Sequence, residues 1–207
     1  MTLYSYIVKD DTGFAPNPFF GYCTLACCKP GIRRTAKKKD WIVGLTPKAQ
    51  EYRIVYVMQV DKIMGFDEYW KRFKRKRPDV HGGVKQKNGD NIYEPSAEYS
   101  LGYHQHPSAH SDGDREDAKK KKRDLAGRSV LVSRKFAYFG SNALELPQRL
   151  VCLIVGRGHR CHFKPDVLKY AVSYLGGLQK RKPGIQAPPR KWPGNDKSWS
   201  GSTCGSR

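Results

Sequence analysis

The chain has 207 residues, with 39 Lys and Arg against 19 Asp and Glu, a formal charge of +20 and a sequence pI near 9.8. That length suits one domain or one domain with a tail, and no apolar run approaches the roughly 20 residues that span a bilayer. Leu, Ile, Val and Phe make up about a fifth of the chain, at the edge of what folds, while aromatic residues add large buried areas. A folded core with disordered appendages satisfies both figures. Met1 to Lys9 lacks the basic start and small-residue cleavage site of a signal peptide, so a cytoplasmic location and reduced cysteines are expected.

The charge is local. Lys29 to Lys39 carries +6, Lys71 to Arg77 +6, Lys119 to Arg123 +5 and Lys180 to Lys191 +5, which leaves the rest of the chain at −2. Basic clusters on a neutral body are what a polyanion selects, because each neutralised phosphate releases counterions. Lys37, Lys38, Lys71, Arg72, Lys74, Arg75, Lys76 and Arg77 are therefore expected on a nucleic-acid backbone.

In chain order, Leu3 to Val8 reads as a strand, and GFAPNPFFG (Gly13 to Gly21) as a loop stiffened by Pro16 and Pro18. Pro30 to Lys39 predicts a short helix with Pro in its first turn. Trp41 to Leu45 and Ile54 to Val60 are buried strands by their β-branched and aromatic content. Phe66, Tyr69, Trp70 and Phe73 fall at i, i+3, i+4 and i+7 and mark an amphipathic helix that Pro78 stops. From 79 to 117 no periodicity holds, so long loops with short strands are expected. Ser129 to Ser133, Phe136 to Phe139 and Leu150 to Val155 read as further strands. Val167 to Leu175 reads as a helix opened by Pro165 and closed by Gly176 and Gly177. The composition then changes, predicting one domain over 1–179 and a disordered basic tail over 180–207. The element order favours α+β with a mostly antiparallel, partly closed barrel-like sheet and two or three flanking helices.

The GRGHR turn (Gly156 to Arg160) offers two glycines for backbone approach to an anion and two arginines with bidentate forks. Arg157, His159 and Arg160 are thus candidates for a nucleotide, while Phe14, Asn17, Trp41 and Tyr138 could stack on a base and read its edge. Arg33, Asp90 and Asn91 complete this set, though Asp90-Asn91 could equally form a turn. Two groupings could hold zinc: Cys23, Cys27, Cys28 and Cys161 with His159 and His162, and His104 with His106 and His110. Their spacings match no standard pattern, so no metal and no cofactor is expected. Cys23 with His159, and Asp40 or Asp90, are the candidates for nucleophile and acid–base work; no catalytic residue is assigned.

The stretch YSYIVKDDTGFAPNPFFGYCTLACCKPGIRRTAKKKDWIVG resembles the start of the nucleotide modification associated domain 2 family. FDEYWKRFKRKRP, GDNIY, VLVSRKFAYFG and GRGHRCHF follow in the same order, and the resemblance covers about residues 1 to 180. It implies association with systems that make or handle modified DNA bases, many of them phage-linked, which would place the protein in a host-cell cytoplasm. The opening plan is also similar to PUA-type barrels of the ASCH, EVE and YTH kind, with Lys39-Asp40 where those carry a Gly-Asp turn; Lys there implies a looser turn. The expected function is a domain that recognises a modified base or nucleotide in a pocket, on DNA more readily than RNA. The alternative is an enzyme that modifies or removes a DNA base.

Overall fold

A computed structural model describes residues 1–191. In chain order the strands are β1 (Leu3–Ile7), β2 (Cys23–Leu25), β3 (Trp41–Leu45), β4 (Ile54–Gln59), β5 (Lys62–Met64), β6 (Tyr93–Pro95), β7 (Tyr103–Gln105), β8 (Val130–Ser133), β9 (Lys135–Tyr138) and β10 (Gly184–Ile185). The α-helices are α1 (Pro30–Thr35), α2 (Phe66–Arg72), α3 (Val84–Lys87), α4 (Ala118–Leu125) and α5 (Pro165–Arg181). Five strands form one sheet in the order β1-β3-β4-β9-β10, three form a second in the order β2-β8-β5, and β6-β7 is a two-stranded ribbon. Among the described residues only β1/β3 and β9/β10 run parallel.

Two chain segments belong to both large sheets. Only Val60 and Asp61 separate β4 from β5, and only Arg134 separates β8 from β9. Strands that bend from one sheet into another make a corner. The Asp61 carboxylate takes the Arg134 N–H at 2.7 Å, and the Ser133 hydroxyl donates to the Gln59 carbonyl at 2.6 Å, which satisfies the backbone where the ladder breaks. The fold is mixed α+β with mostly antiparallel pairing. The expected barrel does not close among the described residues, because the outer strands β1 and β10 share no ladder with β2 or β5.

Alternation along the strands sets the layers. Tyr4, Tyr6, Ile42, Met58 and Phe136 face inward onto Cys23, Leu25, Leu131 and the α1 residue Ile32. Leu3, Trp41, Val43, Leu45, Val57 and Ala137 face outward, where Ala171, Leu175 and Leu178 of α5 cover them. The far side of the smaller sheet packs Met64, Val130 and Val132 on Phe66, Tyr69, Ile92 and Tyr93.

Four expectations need correction. Leu150 to Val155 is not a strand: Gln148–Leu153 is a 3-10 helix that buries Leu150 and Leu153 three apart. α5 does not end at Gly176-Gly177 but runs through to Arg181, and a Cβ on Gly176 would meet the Trp41 ring at 3.4 Å, so the glycine serves close helix–sheet packing. The Lys39-Asp40 turn is not loose. Lys39 holds φ 74, and the Asp40 carboxylate accepts N–H groups of Thr2 at 2.6 Å and Lys37 at 2.8 Å. The first part of the expected tail, 180–191, is folded: it closes α5, forms β10 beside β9, buries Ala187 and donates the Lys191 N–H to Asp11. The rest, 192–207, lies outside the described residues.

Candidate functional site

A cleft of about 760 Å³ opens between the end of β1, the Asp10–Ala15 loop, the start of α1, the His110 loop, α4 and the GRGHR turn. Cys28 lies at its floor, between β2 and α1. It holds φ 59 and Lys29 holds φ 41, left-handed conformations that cost energy for residues with a Cβ and persist only where the surroundings fix them. Two groups do so. Asp124 Oδ1 accepts the Cys28 N–H at 2.8 Å, and Arg33 Nε donates to the Cys28 carbonyl at 2.8 Å. Arg33 also donates to Ser129 O at 2.8 Å and to the Asp124 carbonyl, so one buried guanidinium ties the turn to the end of α4.

The Cys28 sulfur is 3.3 Å from His110 Nε2, and His110 Nδ1 is 2.5 Å from Asp124 Oδ2. Tyr93 donates its hydroxyl to the same Oδ2 at 2.9 Å. This is a thiol–imidazole–carboxylate chain, with the carboxylate fixing both the ring and the cysteine's backbone. Burial works to lower the His110 pKa, but its bonds to Asp124 and Cys28 outweigh burial and raise it to about 9. Burial works to raise the Asp124 carboxyl, and the His110 bond overcomes it and holds that group low. At neutral pH the sulfur therefore faces an imidazolium.

The walls are basic and aromatic. Lys9, Lys29, Lys120, Arg123 and His159 line the cleft against Asp10 alone, with Tyr6 and Phe14 as rings. Phe14 lies 4.8 Å from the His110 ring, centroid to centroid. Lys29 Nζ stands 4.7 Å over the Tyr6 ring and donates to Gly158 O at 3.3 Å; burial lowers its pKa. A Cβ at Gly31 would lie 2.8 Å from His159 Cε1, so glycine there lets the GRGHR turn close over α1. Burial first, then Lys29, lowers the His159 pKa.

Of the base-binding candidates, Phe14 and His159 line this cleft, with Gly158 of the same turn, and Cys28 and His110, named in the sequence only as possible metal ligands, line it too. Arg157 is exposed beside it, and Arg160 donates to Cys152 O at 2.7 Å. Arg33 acts from beneath. Trp41 packs under α5, and Tyr138 is buried with its hydroxyl on Asp11. Asp40 caps its turn, and the buried Cys23 belongs to the core between the sheets, where burial pushes its thiol up.

Asn17, Asp90 and Asn91 enter a sealed network instead. Asp90 accepts from Thr24 and Tyr69 hydroxyls, each at 2.7 Å. Lys76 Nζ donates to Asn17 Oδ1 at 2.6 Å, Asn17 O and Thr24 Oγ1 at 2.9 Å and Tyr22 O at 3.0 Å. Asn91 donates to the Tyr69 and Phe73 carbonyls and so closes α2. Lys76 is thus a core residue. The other members of its run, Lys71, Arg72, Lys74 and Arg75, line a second hollow of about 460 Å³ with Phe20, Tyr22 and Phe73. Arg75 stacks 4.9 Å over Phe20, which itself holds φ 60, and Arg134 stacks 4.8 Å over Tyr22. Arg77 lies on the Trp70 ring at 3.7 Å, while Lys37 and Lys38 are exposed after α1.

Sequence reasoning passed over Cys28, His110 and Asp124 as a set. They are 82 and 14 positions apart; Cys28 and His110 drew notice only in separate metal groupings, and Asp124 carried no signal of its own.

What fold and cleft define is an α+β domain with a basic, ring-lined cavity built over a cysteine–histidine–aspartate chain. The profile of nucleotide modification associated domain 2 matches residues 1–196, and the chain belongs to that family. Searches of curated proteins and of solved structures find no match. Membership relates the chain to nucleotide or DNA modification. Among the described residues, no helix is long and apolar enough to cross a membrane.

Proposed function

We propose that the protein is a cysteine-dependent enzyme acting on a nucleotide unit, with Cys28 as nucleophile, His110 as proton carrier and Asp124 as its orienting partner. The observation that carries this reading is the 3.3 Å and 2.5 Å chain from sulfur through imidazole to carboxylate at the floor of the cleft. The Cys28 sulfur bonds to an electrophilic carbon of the base as that carbon's π bond opens, and the freed electron pair takes the proton from the His110 imidazolium; expulsion of the sulfur later re-forms the π bond and returns the proton to His110. Asp124 stays ionised throughout. Lys9, Lys29, Lys120 and Arg123 suit phosphate, and Phe14 and His159 suit a base.

The polymer, DNA in this reading, is gripped in the second hollow, where Lys71, Arg72, Lys74 and Arg75 alternate with Phe20 and Tyr22. Cations that track a backbone beside rings that stack bases are the recurrent features of single-strand binding.

Iodoacetamide at neutral pH tests the chemistry. Cys28 should alkylate ahead of Cys152 and Cys161, His110→Gln should slow it roughly tenfold, and a single-stranded oligonucleotide should protect it. Alkylation of Cys28 no faster than of those two, together with no protection, would overturn the enzyme reading. Protection combined with full function in Cys28→Ser would leave a reader of modified bases in its place.

A further inference from the structure

We propose that the outer face of the β6–β7 ribbon is a zinc site formed by Glu94, His104 and His106. Glu94 pairs directly with His104 across the ribbon, and His106 lies two positions further on, so alternation puts all three on one face. One ligand atom from each lies within 4.8 Å of the other two, and His106 Nε2 is 2.8 Å from Glu94 Oε2. Both imidazoles are held by rings: Trp70 stacks on His106 at 4.9 Å and Tyr99 on His104 at 4.3 Å between centroids. Two imidazoles and a carboxylate are borderline donors that suit Zn²⁺ and leave a position for water.

The opposite face of the same ribbon shows what the metal would do. Tyr93 donates to Asp124, Gln105 Nε2 donates to the His110 carbonyl at 2.9 Å, and Gln105 Oε1 accepts the Asp117 N–H at 2.8 Å at the start of α4. A ribbon of two three-residue strands is marginal by itself, and a bound metal contributes its binding free energy to the fold. Zinc on the outer face would fix the register that positions His110 and Asp124. This bracing role rests on the enzyme reading; metal binding does not.

A rival set, Cys27 with His110 and Asp124, is also within 4.8 Å. Its carboxylate is fully engaged, Oδ1 by Cys28 and Oδ2 by His110 and Tyr93. The Cys27 thiol donates to Asp90 O at 3.6 Å in a buried setting that disfavours the thiolate a metal needs.

Titration of chelator-stripped full-length protein with Zn²⁺ by calorimetry, and with Co²⁺ by visible absorption, tests the site. One equivalent should bind, the cobalt spectrum should lack a sulfur-to-metal charge-transfer band, and Zn²⁺ should raise the melting temperature. His106→Ala and the gentler Glu94→Gln should each weaken binding roughly 10–100-fold or more, whereas Cys27→Ser should not. A charge-transfer band lost in Cys27→Ser would move the metal to the rival set and overturn the proposal. So would unchanged affinity in a folded Glu94→Gln, or no binding at stoichiometric concentrations. No oligonucleotide turnover by the zinc-bound wild type would count against the enzyme reading alone.

Discussion

Two buried polar clusters flank strand β2, and they differ in one respect that decides their use. Around Asp90, the carboxylate, Thr24, Tyr69, Asn17 and Lys76 satisfy one another completely beneath the surface. Around Asp124, the carboxylate is equally buried and equally satisfied, but its chain ends on the Cys28 sulfur, which lines an open cleft. Both clusters combine an acid, a cation and a hydroxyl donor. A closed set of hydrogen bonds specifies a fold, whereas one that leaves its last member facing a cavity can act on a ligand.

Removing that last member should show the largest effect. Cys28→Ala is expected to lower turnover on the order of 10⁴-fold while the melting temperature moves by less than about 2 °C. Single-turnover kinetics beside a thermal melt check this, and a large loss of stability would make the open cluster structural after all. The sealed cluster should respond in the reverse way. Lys76→Ala leaves Asp90 without its buried cation and should cost about 3–5 kcal/mol in urea unfolding. Alkylation of Cys28 in the refolded variant should be unchanged.

The contrast also explains what the sequence disclosed. Strands such as Trp41–Leu45 and Ile54–Gln59, and the Phe66 helix, were legible because their apolar periods record burial directly. GDNIY and Asn17 carry the residue types of a binding pocket, but residue type does not record whether a polar group is sealed or open. α4 was hidden because its KKKKR run reads as solvated charge; in fact Lys121 is buried on Glu116 at 2.7 Å, while Lys120 and Arg123 turn to the cleft. The GRGHR turn was recognised as a site, yet the residues it brings to the cleft are Gly158 and His159, since the glycine at φ 76 reverses the chain after Arg157.

A third carboxylate, Asp11, shows the same sealing by chain segments far apart. It accepts from the Tyr138 hydroxyl and from the Arg190 N–H at 3.1 Å, beyond β10. Truncation after Lys182 removes β10, the buried Ala187 and this cap. It should cost about 2–3 kcal/mol, or roughly 4–12 °C in melting temperature, where a purely disordered segment would cost nothing. Unchanged melting of the truncated protein would show that the segment contributes no net stability.

The smallest effect, and the one that sets the two clusters against each other, is the pH profile of stability. His110 has a folded pKa raised from 6.5 to about 9, so its contribution is complete below pH 6.5 and is lost as pH rises through about 9. Lys76 is lowered from 10.5 to about 8, chiefly by burial, so between those values the unfolded chain binds the extra proton and stability rises with pH. From pH 6.5 to 8 only His110 acts, and stability should fall by about 2 kcal/mol at 1.36 kcal/mol per unit. From pH 8 to 9 the two slopes oppose and the profile should be flat. Above 9 the lysines that burial lowers, Lys76 and Lys29, raise stability against the buried Cys23 and Cys27 thiols and, from near pH 10, against the hydroxyls of Tyr6, Tyr56, Tyr69 and Tyr138, which burial holds protonated while their unfolded counterparts ionise. Urea midpoints of wild type and His110→Gln, taken every half unit, separate the contributions. In the variant the fall below pH 8 should vanish and the rise should begin at 8. A fall that survives in His110→Gln would belong to another group, and the open cluster would then hold its histidine no more firmly than the surface does.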